Sequence, residues 1–354
     1  MAGGSSAASR RTRLQASEGR ARVTSAARLP VAVDAMGGDR APAAVVAGAL
    51  LAAERGIASL LVGDQAQVEP LLAAHTGAPA PVTVVHAPEF IAMDESPGVA
   101  LRKKPKASIW VATQLVKTGQ ACAVVSAGNS GAAMGAAVIT LETAGVPRPA
   151  IATVLPTKRG RMVLLDVGAN VDCTAALLVA FAWMGAAYAH RGLGITNPRV
   201  AVLSIGTEVG KGNKLTKQVS DALRQTSLNF VGSVEGNGLF EGDADVVVCD
   251  GFVGNVVLKV GEAVWEWMAS VMRELMTRDG ELSPETKALM KRSLGIGDYE
   301  EHGGALLLGV NGVAVIAHGR STPQAIAQAI VLAAGAAESG VVDEIADHFR
   351  AVTA

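Results

Sequence analysis

The sequence predicts an α/β protein built on a mostly parallel, doubly wound sheet. Short apolar runs alternate with helical patterns along most of the chain, as expected for repeated βαβ units. Several of these runs end at glycine beside a polar residue, which is typical of the turn between a strand and the next helix. Half of the 354 residues are apolar and 18% are charged, so the chain can bury a large core.

The first half of the chain supplies the clearest strand–helix pairs. The predicted strands cover residues 31–34, 59–62, 82–86 and 121–125. The predicted helices cover residues 42–55, 66–75 and 107–117, and a further helix follows the turn at 126–132. Pro42 suits the first turn of the first helix because that turn leaves backbone N–H groups unpaired, and Gly56 suits its end.

The second half continues the alternation of strands and helices, which is then interrupted by a long helical pattern. Residues 151–155 and 162–165 predict a hairpin around Lys158–Gly160. Further strands are predicted at residues 199–204, 230–234, 245–248 and 314–316, with helices at 174–190, at 215–224 and twice near the C-terminus. A long helical pattern runs to about residue 278, and a shorter one contains Ala288, Leu289, Met290 and Leu294. We therefore expect a protruding helical arm over about 256–294.

Residues 1–29 differ in composition from the rest of the chain. They are rich in Ser, Ala, Gly and Arg and contain no long apolar stretch. This composition predicts a disordered, Arg-rich extension before an α/β unit over residues 30–354. The net charge of −1 argues against a general binder of nucleic acid. Three cysteines without a CxxC pair predict free buried thiols, and no His/Cys spacing indicates a metal site.

Six predicted strand ends carry glycine beside a polar or charged residue. They are Asp34–Asp39, Ser126–Gly131, Asp166–Asn170, Gly206–Glu208, Asp250–Asn255 and His318–Ser321. In a doubly wound sheet the C-terminal ends of the strands lie along one edge, where ligands bind. Backbone N–H groups at such turns and at helix N-termini attract anions. One such turn is ordinary, but six together predict a single polar cleft for a small anion or a phosphate ester.

The side chains at these strand ends allow more than one chemistry. Five carboxylates could hold Mg²⁺ or cap the helices that follow: Asp34, Asp39, Asp166, Glu208 and Asp250. Lys211 could meet phosphate as a point charge or remain a solvated lysine. His318 could donate to an oxyanion or have a structural role. Three amides could polarise a carbonyl without accepting a proton: Asn129, Asn170 and Asn255.

Several standard nucleotide and esterase motifs are absent. The first strand is not followed by G-x-G-x-x-G, the segment Gly210–Gly212 lacks the Walker spacing, and no G-x-S-x-G occurs. These absences predict no nucleotide cofactor and weaken the competing assignment as an NAD-dependent hydroxy-acid dehydrogenase. A third alternative is an acyl- or phosphate-binding module without enzymatic activity, for which six polar strand ends are more than needed.

Together these segments resemble the PlsX family of phosphate acyltransferases, from about residue 29 to residue 350. The segments that carry the resemblance are VDAMGGD (33–39), SAGNSGA (126–132), RPA (148–150), LDVGANVD (165–172), NPRV (197–200), SIGTEVGKGNKLTKQ (204–218), DVVVCDGFVGN (245–255) and AHG (317–319). The resemblance implies transfer of a long-chain acyl group from acyl carrier protein to inorganic phosphate, giving acyl phosphate for bacterial phospholipid synthesis. It also implies a homodimer with an α/β fold similar to isopropylmalate dehydrogenases and phosphotransacetylases.

The resemblance assigns candidate catalytic roles to Lys211 at the phosphate and to Asn255 at the thioester carbonyl. Because phosphate can attack a thioester directly, such an enzyme mainly positions two reactants and stabilises an oxyanion. The candidate phosphate- or substrate-binding residues are Asp34, Gly37, Gly38, Ser126, Asn129, Ser130, Asp166, Asn170, Glu208, Asp250 and His318. The sequence departs from the family's pattern where Ser130 and Val253 replace a common threonine and Arg320 replaces a small residue.

The resemblance also implies partners. Acyl carrier proteins are acidic, so we expect a basic docking patch, with a solvated loop as the alternative. The first candidates are Arg102, Lys103, Lys104 and Lys106, and the second are Lys158, Arg159 and Arg161. The apolar face of the long helix predicts dimer packing, with acyl-chain or membrane contact at the tip of the arm as the alternative. We expect a cytoplasmic protein, with peripheral membrane contact where its product passes to a membrane glycerol-3-phosphate acyltransferase.

Overall fold

The computed structural model describes residues 29–75, 77, 79–208, 210–278, 283, 285–286 and 303–353. The strands are β1 (Val31–Asp34), β2 (Ser59–Gly63), β3 (Val82–His86), β4 (Ala123–Ser126), β5 (Ala150–Thr157), β6 (Gly160–Leu165), β7 (Val200–Leu203), β8 (Phe230–Val234), β9 (Val246–Val248), β10 (Ala305–Leu308) and β11 (Val313–Ile316). The helices are α1 (Ala43–Glu54), α2 (Gln65–Ala73), α3 (Pro97–Lys103), α4 (Ser108–Lys117), α5 (Ser130–Leu141), α6 (Ala175–Leu193), α7 (Lys214–Leu223), α8 (Gly251–Arg278), α9 (Pro323–Ser339) and α10 (Val341–Thr353).

All described strands form one sheet in the order β3-β2-β1-β4-β11-β10-β5-β6-β9-β7-β8. The strands from β3 to β11 pair in parallel, and so do those from β6 to β8. Between these two halves, β10 is antiparallel to both neighbours and β5 is antiparallel to β6. The predicted mostly parallel sheet and the β5–β6 hairpin are therefore confirmed. However, the two parallel halves run in opposite directions.

One row of paired residues shows how the two halves meet. It crosses the sheet through Val33, Val125, Val315, Leu306, Ala152, Leu165, Val248 and Val202. Strands β6 and β9 end on this row, and β1, β4, β7 and β11 end one residue beyond it. The expectation of one sheet edge was wrong. Because the halves run in opposite directions, their C-terminal ends instead face each other across the middle of the sheet.

Small side chains allow the helices to pack closely on this sheet. Several parallel strands are buried along their whole length, among them β1, β4, β7 and β11. Helices α1 and α9 approach so closely that a Cβ at Gly48 would lie 2.5 Å from the Cβ of Ile326. Phe181 is the one aromatic residue among the largest fully buried side chains of the described residues. A core of Ala, Val and Leu explains why 3% aromatic content suffices.

The structure adds three elements that the sequence pattern did not predict, α3, β10 and the short 3₁₀ helix Gly236–Gly238. It also starts α8 at Gly251, so the segment Gly251–Asn255 is helical and is not a loop. The predicted extension over residues 1–29 lies outside the described residues except for Leu29, and so does the short helix predicted around 288–294. Within the described ranges no single helix is long and apolar enough to cross a membrane, while the bent pair α9–α10 meets that criterion jointly, by length and composition only.

Candidate active site

A cavity of about 1010 Å³ opens where the two halves of the sheet meet. Five of the six predicted strand ends contribute to its wall, through Asp39, Ser130, Gly168, Asn255 and His318. The rest of the wall is mostly apolar and comes chiefly from β5, the segment after β8 and the N-terminal part of α8, with smaller contributions from Met93, β10, β11 and α9. Its large apolar members include Ile151, Val154, Leu155, Leu239, Phe240, Val257, Leu258 and Trp265. The cavity therefore places polar turns beside a long apolar wall.

In the first half of the sheet, a buried carboxylate fixes the turn after β4. The Ser126 hydroxyl donates to Asp34 Oδ2 over 2.8 Å and accepts from the Gly128 N–H over 3.1 Å. The Met36 N–H donates to Asp34 Oδ1. A Cβ at position 37 would lie 2.7 Å from the Gly128 nitrogen, so only glycine fits there. Burial raises the pKa of Asp34 above its ordinary value, and hydrogen bonds from serine hydroxyls oppose that shift.

The turn after β11 interlocks with the turn after β1. The Asp39 N–H donates to the Gly319 carbonyl over 2.8 Å. Gly38 has φ of +111°, and a Cβ there would lie 3.1 Å from the same carbonyl oxygen. His318 Nδ1 accepts from the Arg320 N–H over 3.1 Å, which places the ring proton of a neutral imidazole on Nε2. Burial lowers the pKa of His318 below its ordinary value, which favours that neutral form.

Asn129 is committed to holding this part of the structure together. Its Oδ1 accepts from the Ala132 N–H and caps α5, as the first-turn geometry requires. Its Nδ2 donates to the carbonyls of Met93 over 3.1 Å and Glu95 over 2.9 Å. With both amide protons and the carbonyl used, Asn129 positions the loop before α3, and Ser130 beside it is the residue that reaches the cavity wall.

In the second half of the sheet, Asp166 organises the turn after β6. It is fully buried. Its Oδ1 accepts from the N–H groups of Ile151, Gly168 and Ala169. Its Oδ2 accepts from both the backbone N–H and the side-chain amide of Asn170, over 2.6 and 3.0 Å. Five hydrogen bonds to one carboxylate fix the turn, so Asp166 and Asn170 act as scaffold.

Two glycines seat the first turn of α8 on that scaffold. A Cβ at position 251 would lie 2.7 Å from the Asn170 carbonyl oxygen, and one at position 254 would overlap the Asp166 carbonyl oxygen. This close approach puts the Asn255 side chain against Gly168, where a Cβ would lie 3.7 Å from Asn255 Oδ1. In the part of the chain that the structure describes, the Asn255 amide has no hydrogen-bond partner.

Asp250 and Glu208 do not reach the cavity wall. Asp250 Oδ1 accepts from the Val253 N–H and so caps the first turn of α8, which is the capping role predicted as one alternative. Glu208 lies in the loop after β7, where its carbonyl accepts from the Lys211 N–H. Its carboxylate lies near Gly206. Among the described residues no three metal-ligating side chains cluster.

Lys211 is also absent from the cavity wall, but its loop lies next to it. The loop follows β7, which pairs with β9, the strand that leads into α8. Adjacent strands are about 4.8 Å apart, so the loop begins one strand away from the start of α8. Gly210 and Gly212 have φ of +91° and +97°, backbone that favours glycine. Lys211 is exposed, and its ammonium forms no ion pair with the described residues.

In the basic run, Lys104 has a structural role and the other three cations are exposed. Lys104 Nζ pairs with Glu95 Oε1 over 2.5 Å and donates to the Phe90 carbonyl, so it holds the loop that Asn129 also binds. Arg102, Lys103 and Lys106 are exposed. In the second basic group, Lys158 pairs with Glu241 and Arg159 with Asp243.

The thiols nearest the scaffold are not activated. Cys173 and Cys249 are both free. Burial raises the pKa of Cys173 to about 11, and the charge of Asp166 adds to that shift. Burial also raises the pKa of Cys249. Thiolate nucleophiles have lowered pKa values, so neither cysteine suits covalent catalysis.

The sequence pattern missed the apolar wall contributed by Leu239 and Phe240. Phe240 follows the short 3₁₀ turn Gly236–Gly238 and is 43% exposed although it is a large apolar side chain. Aromatic residues are rare in this chain, and a phenylalanine just after a glycine-rich turn was the signal that could have marked it.

Comparisons with known proteins agree with this architecture. The profile of the family described as "Fatty acid synthesis protein" matches residues 29–344. The chain is 48% identical over 324 residues to the phosphate acyltransferase of Trichlorobacter lovleyi, covering 90% of this chain and 93% of that one. It is also 48% identical over 324 residues to the phosphate acyltransferase of Heliobacterium modesticaldum, covering 90% of this chain and 97% of that one.

Among solved structures, a phosphotransacetylase from Streptococcus pyogenes has the same fold. The TM-score is 0.62 at 17% identity, and the match covers 88% of this chain and 94% of that one. This likeness confirms the predicted phosphotransacetylase-like fold and concerns the fold alone. The profile match and the two relatives confirm the resemblance found in the sequence motifs: the chain belongs to the PlsX family of fatty acid synthesis proteins, a family of acyltransferases.

Proposed function

We propose that this protein transfers a long-chain acyl group from the thioester of acyl carrier protein to inorganic phosphate. A phosphate oxygen attacks the thioester carbonyl carbon and forms a C–O bond. The tetrahedral oxyanion then collapses and the C–S bond breaks. The thiol of the carrier leaves with the proton that phosphate gives up, and the product is acyl phosphate.

The cavity is the observation that carries this proposal. Its polar members come from turns at the ends of strands, where backbone N–H groups suit an anion. Its apolar members, including Val154, Leu155 and Phe240, suit a hydrocarbon chain. A site that must hold a phosphate and a long acyl chain together needs this juxtaposition. Both relatives are named phosphate acyltransferase, which supports the assignment as a phosphate acyltransferase.

Within the proposed site, Asn255 polarises the thioester carbonyl and Lys211 binds the phosphate or its developing charge. Asn255 is supported by its place in the cavity wall and by an amide without another partner among the described residues. Lys211 is supported by its exposed ammonium on a glycine-rich loop next to the start of α8. The raised pKa of Cys173 agrees with direct attack by phosphate, without an acyl-enzyme.

The test is an assay of thiol release from an acyl carrier protein thioester. We expect release that requires phosphate and yields acyl phosphate. Release that proceeds equally without phosphate would indicate a thioesterase and contradict the proposal. Reduction of NAD⁺ with a hydroxy-acid substrate would favour the dehydrogenase alternative, and binding of acyl thioester without turnover would favour a binding module.

The role of Lys211 is tested by Lys211→Ala beside the control Lys214→Ala. Lys214 is a nearby exposed lysine at the start of α7. We expect Lys211→Ala to fold normally and to lose most activity, on the order of 10²–10³-fold, as for the loss of one donor to a developing charge. Near-wild-type turnover in Lys211→Ala, or an equal loss in both variants, would refute the role.

We further propose that the protein acts as a homodimer that packs through α8. One face of this helix exposes apolar side chains at helical spacing: Phe252, Val256, Val260, Val264, Trp267, Val271 and Leu275. Trp267 is 68% exposed, and an apolar stripe of this length is typical of an interface. Trp267→Glu should lower the mass measured by sedimentation equilibrium from dimer to monomer, and an unchanged mass would contradict the assignment.

The remaining proposals concern location. We propose a cytoplasmic protein that contacts the membrane peripherally at the tip of the arm, where it hands its product to a membrane glycerol-3-phosphate acyltransferase. A lipid-like product supports this placement. Flotation with anionic liposomes, with and without residues 276–294, tests it. Equal flotation of both proteins would contradict the role of the tip, most of which lies outside the described residues.

A further inference from the structure

We propose that Gly261 sets the length of acyl chain that the cavity accepts. The inference rests on the proposed function, because it assigns the apolar part of the cavity to the acyl chain. Gly261 lies in the interior of the 28-residue helix α8 and contributes to the cavity wall. Glycine is among the poorest helix formers, so its presence there calls for a physical reason.

Close packing does not supply that reason. A Cβ built at Gly261 meets no atom within 4 Å. The two other glycines near the start of the same helix behave differently, since a Cβ at position 251 or 254 would collide with the turn after β6. Those two are required by a close approach of backbone, whereas Gly261 faces open space.

The open space lies on the cavity side of α8. Val257, Leu258 and Trp265 occupy the same face of the helix, one turn before and one turn after Gly261, and all of them contribute to the cavity wall. They are partly buried, whereas Val260 and Val264, which also line the cavity, are exposed. A row of larger side chains is therefore interrupted by one residue without a side chain.

The distance along α8 from Asn255 to Gly261 shows how far this gap lies from the reacting end of the substrate. Gly261 is six residues after Asn255, which corresponds to about 9 Å along the helix axis. Side chains of a helix lean toward its N-terminus, so a leucine at position 261 would project toward Asn255 and into the cavity. It would occupy space that a long acyl chain needs, while a short chain bound near Asn255 would still fit.

Gly335 provides a matched control. It lies in the interior of α9, it is exposed, and a Cβ there also meets no atom within 4 Å. It does not contribute to the cavity wall. Both variants replace a glycine by leucine in the interior of a long helix, so the effect on helix propensity is the same. Only the leucine at position 261 changes the cavity wall.

The experiment compares kcat/KM for palmitoyl and butyryl thioesters of acyl carrier protein, with saturating phosphate. We expect Gly261→Leu to lower the palmitoyl-to-butyryl ratio by at least about tenfold, since each methylene kept from apolar contact costs roughly fourfold. Gly261→Ala, which adds only the Cβ, should shift the ratio in the same direction by less. Gly335→Leu should leave the ratio as in the wild type.

The outcomes separate this inference from the proposed function. If the wild type releases no thiol in a phosphate-dependent way from either donor, the proposed function fails. If the wild type is active and Gly261→Leu lowers kcat/KM equally for both thioesters, or leaves both values unchanged, the palmitoyl-to-butyryl ratio does not change. That result overturns the inference, and the proposed function stands. If Gly261→Leu does not fold, Gly261→Ala decides, and an unchanged ratio in that variant overturns the inference.

Discussion

The turn after β4 and the start of α8 after β9 look alike in sequence and have different roles in the structure. Each carries a Gly-Asn pair, Gly128-Asn129 in the first half of the sheet and Gly254-Asn255 in the second. In Asn129, every polar atom of the side-chain amide is hydrogen-bonded: Oδ1 accepts at the cap of α5, and Nδ2 donates to two carbonyls of the preceding loop. The side-chain amide of Asn255 makes no hydrogen bond within the described ranges, and Asn255 lies in the cavity wall.

A second contrast concerns the buried carboxylates beside these turns. Asp34 accepts hydrogen bonds from the hydroxyls of Ser108 and Ser126 and from one backbone N–H, whereas Asp166 accepts five hydrogen bonds, four of them from backbone N–H groups. The more rigid scaffold supports the first turn of α8, where the side-chain amide of Asn255 is left unpaired among the described residues. We infer that the first half shapes the site and receives the carrier, and that the second half supplies the catalytic groups.

The largest expected effect concerns the two carboxylates. Asp166→Ala should lower the free energy of unfolding by about 5 kcal/mol, because each buried donor left without an acceptor costs about 1–3 kcal/mol and the costs are not fully additive. Asp34→Ala should cost about 2 kcal/mol, because fewer donors lose their acceptor. Urea unfolding of both variants measures the difference. Equal losses, or a larger loss for Asp34→Ala, would contradict the contrast.

Replacing Asn255 should mainly lower activity, whereas replacing Asn129 should mainly lower stability. Asn255→Ala should lower kcat by about 10²-fold, the loss typical of one donor to an oxyanion, with the melting temperature unchanged. Asn129→Ala should lower stability by about 1–2 kcal/mol through the lost cap, and activity less than Asn255→Ala does. Thermal melts and kinetics on the same preparations test both. Asn129→Ala with an unchanged melting temperature and the larger kinetic loss would reverse the roles.

The smallest expected effect is a change in KM for one of the two substrates, the carrier thioester, and not for phosphate. Arg102→Ala/Lys103→Ala should raise KM for the carrier thioester about fivefold at low salt, and less at high salt, because exposed charges act by screened attraction. KM for phosphate should not change. The control Arg55→Ala/Arg224→Ala removes two exposed arginines elsewhere. A rise in KM for phosphate, or an equal effect of the control, would place docking outside the first half.

The sequence predicts much of the fold because the residues at each strand end form a recognisable local pattern. A short apolar run followed by glycine and a polar residue marks β1, β4, β6, β9 and β11 without knowledge of their order in the sheet. The reversal between the halves was not predictable in this way. It depends on β10, a four-residue strand that follows the helical arm, and on its pairing with β5 far away in sequence.

The roles of the site residues were less predictable for a related reason. Asn129 and Asn255 both follow glycine, and nothing local distinguishes them. The difference arises from Met93 and Glu95, whose carbonyls reach Asn129 from 36 and 34 residues away. Asp166 likewise appeared as a candidate ligand for substrate, and only the fold reveals that its oxygens are fully used by the turn. Long-range hydrogen bonds decide which polar residue stays available.

The proposed mechanism is direct attack by phosphate in a site that positions its two reactants and stabilises the oxyanion. The most direct test mixes enzyme in excess with a palmitoyl thioester of acyl carrier protein and follows free thiol in a single turnover, with intact-mass analysis of the protein. We expect no thiol release and no acylated protein until phosphate is added, then release of one thiol per acyl phosphate. A burst of thiol without phosphate, together with a protein heavier by one acyl group, would contradict it.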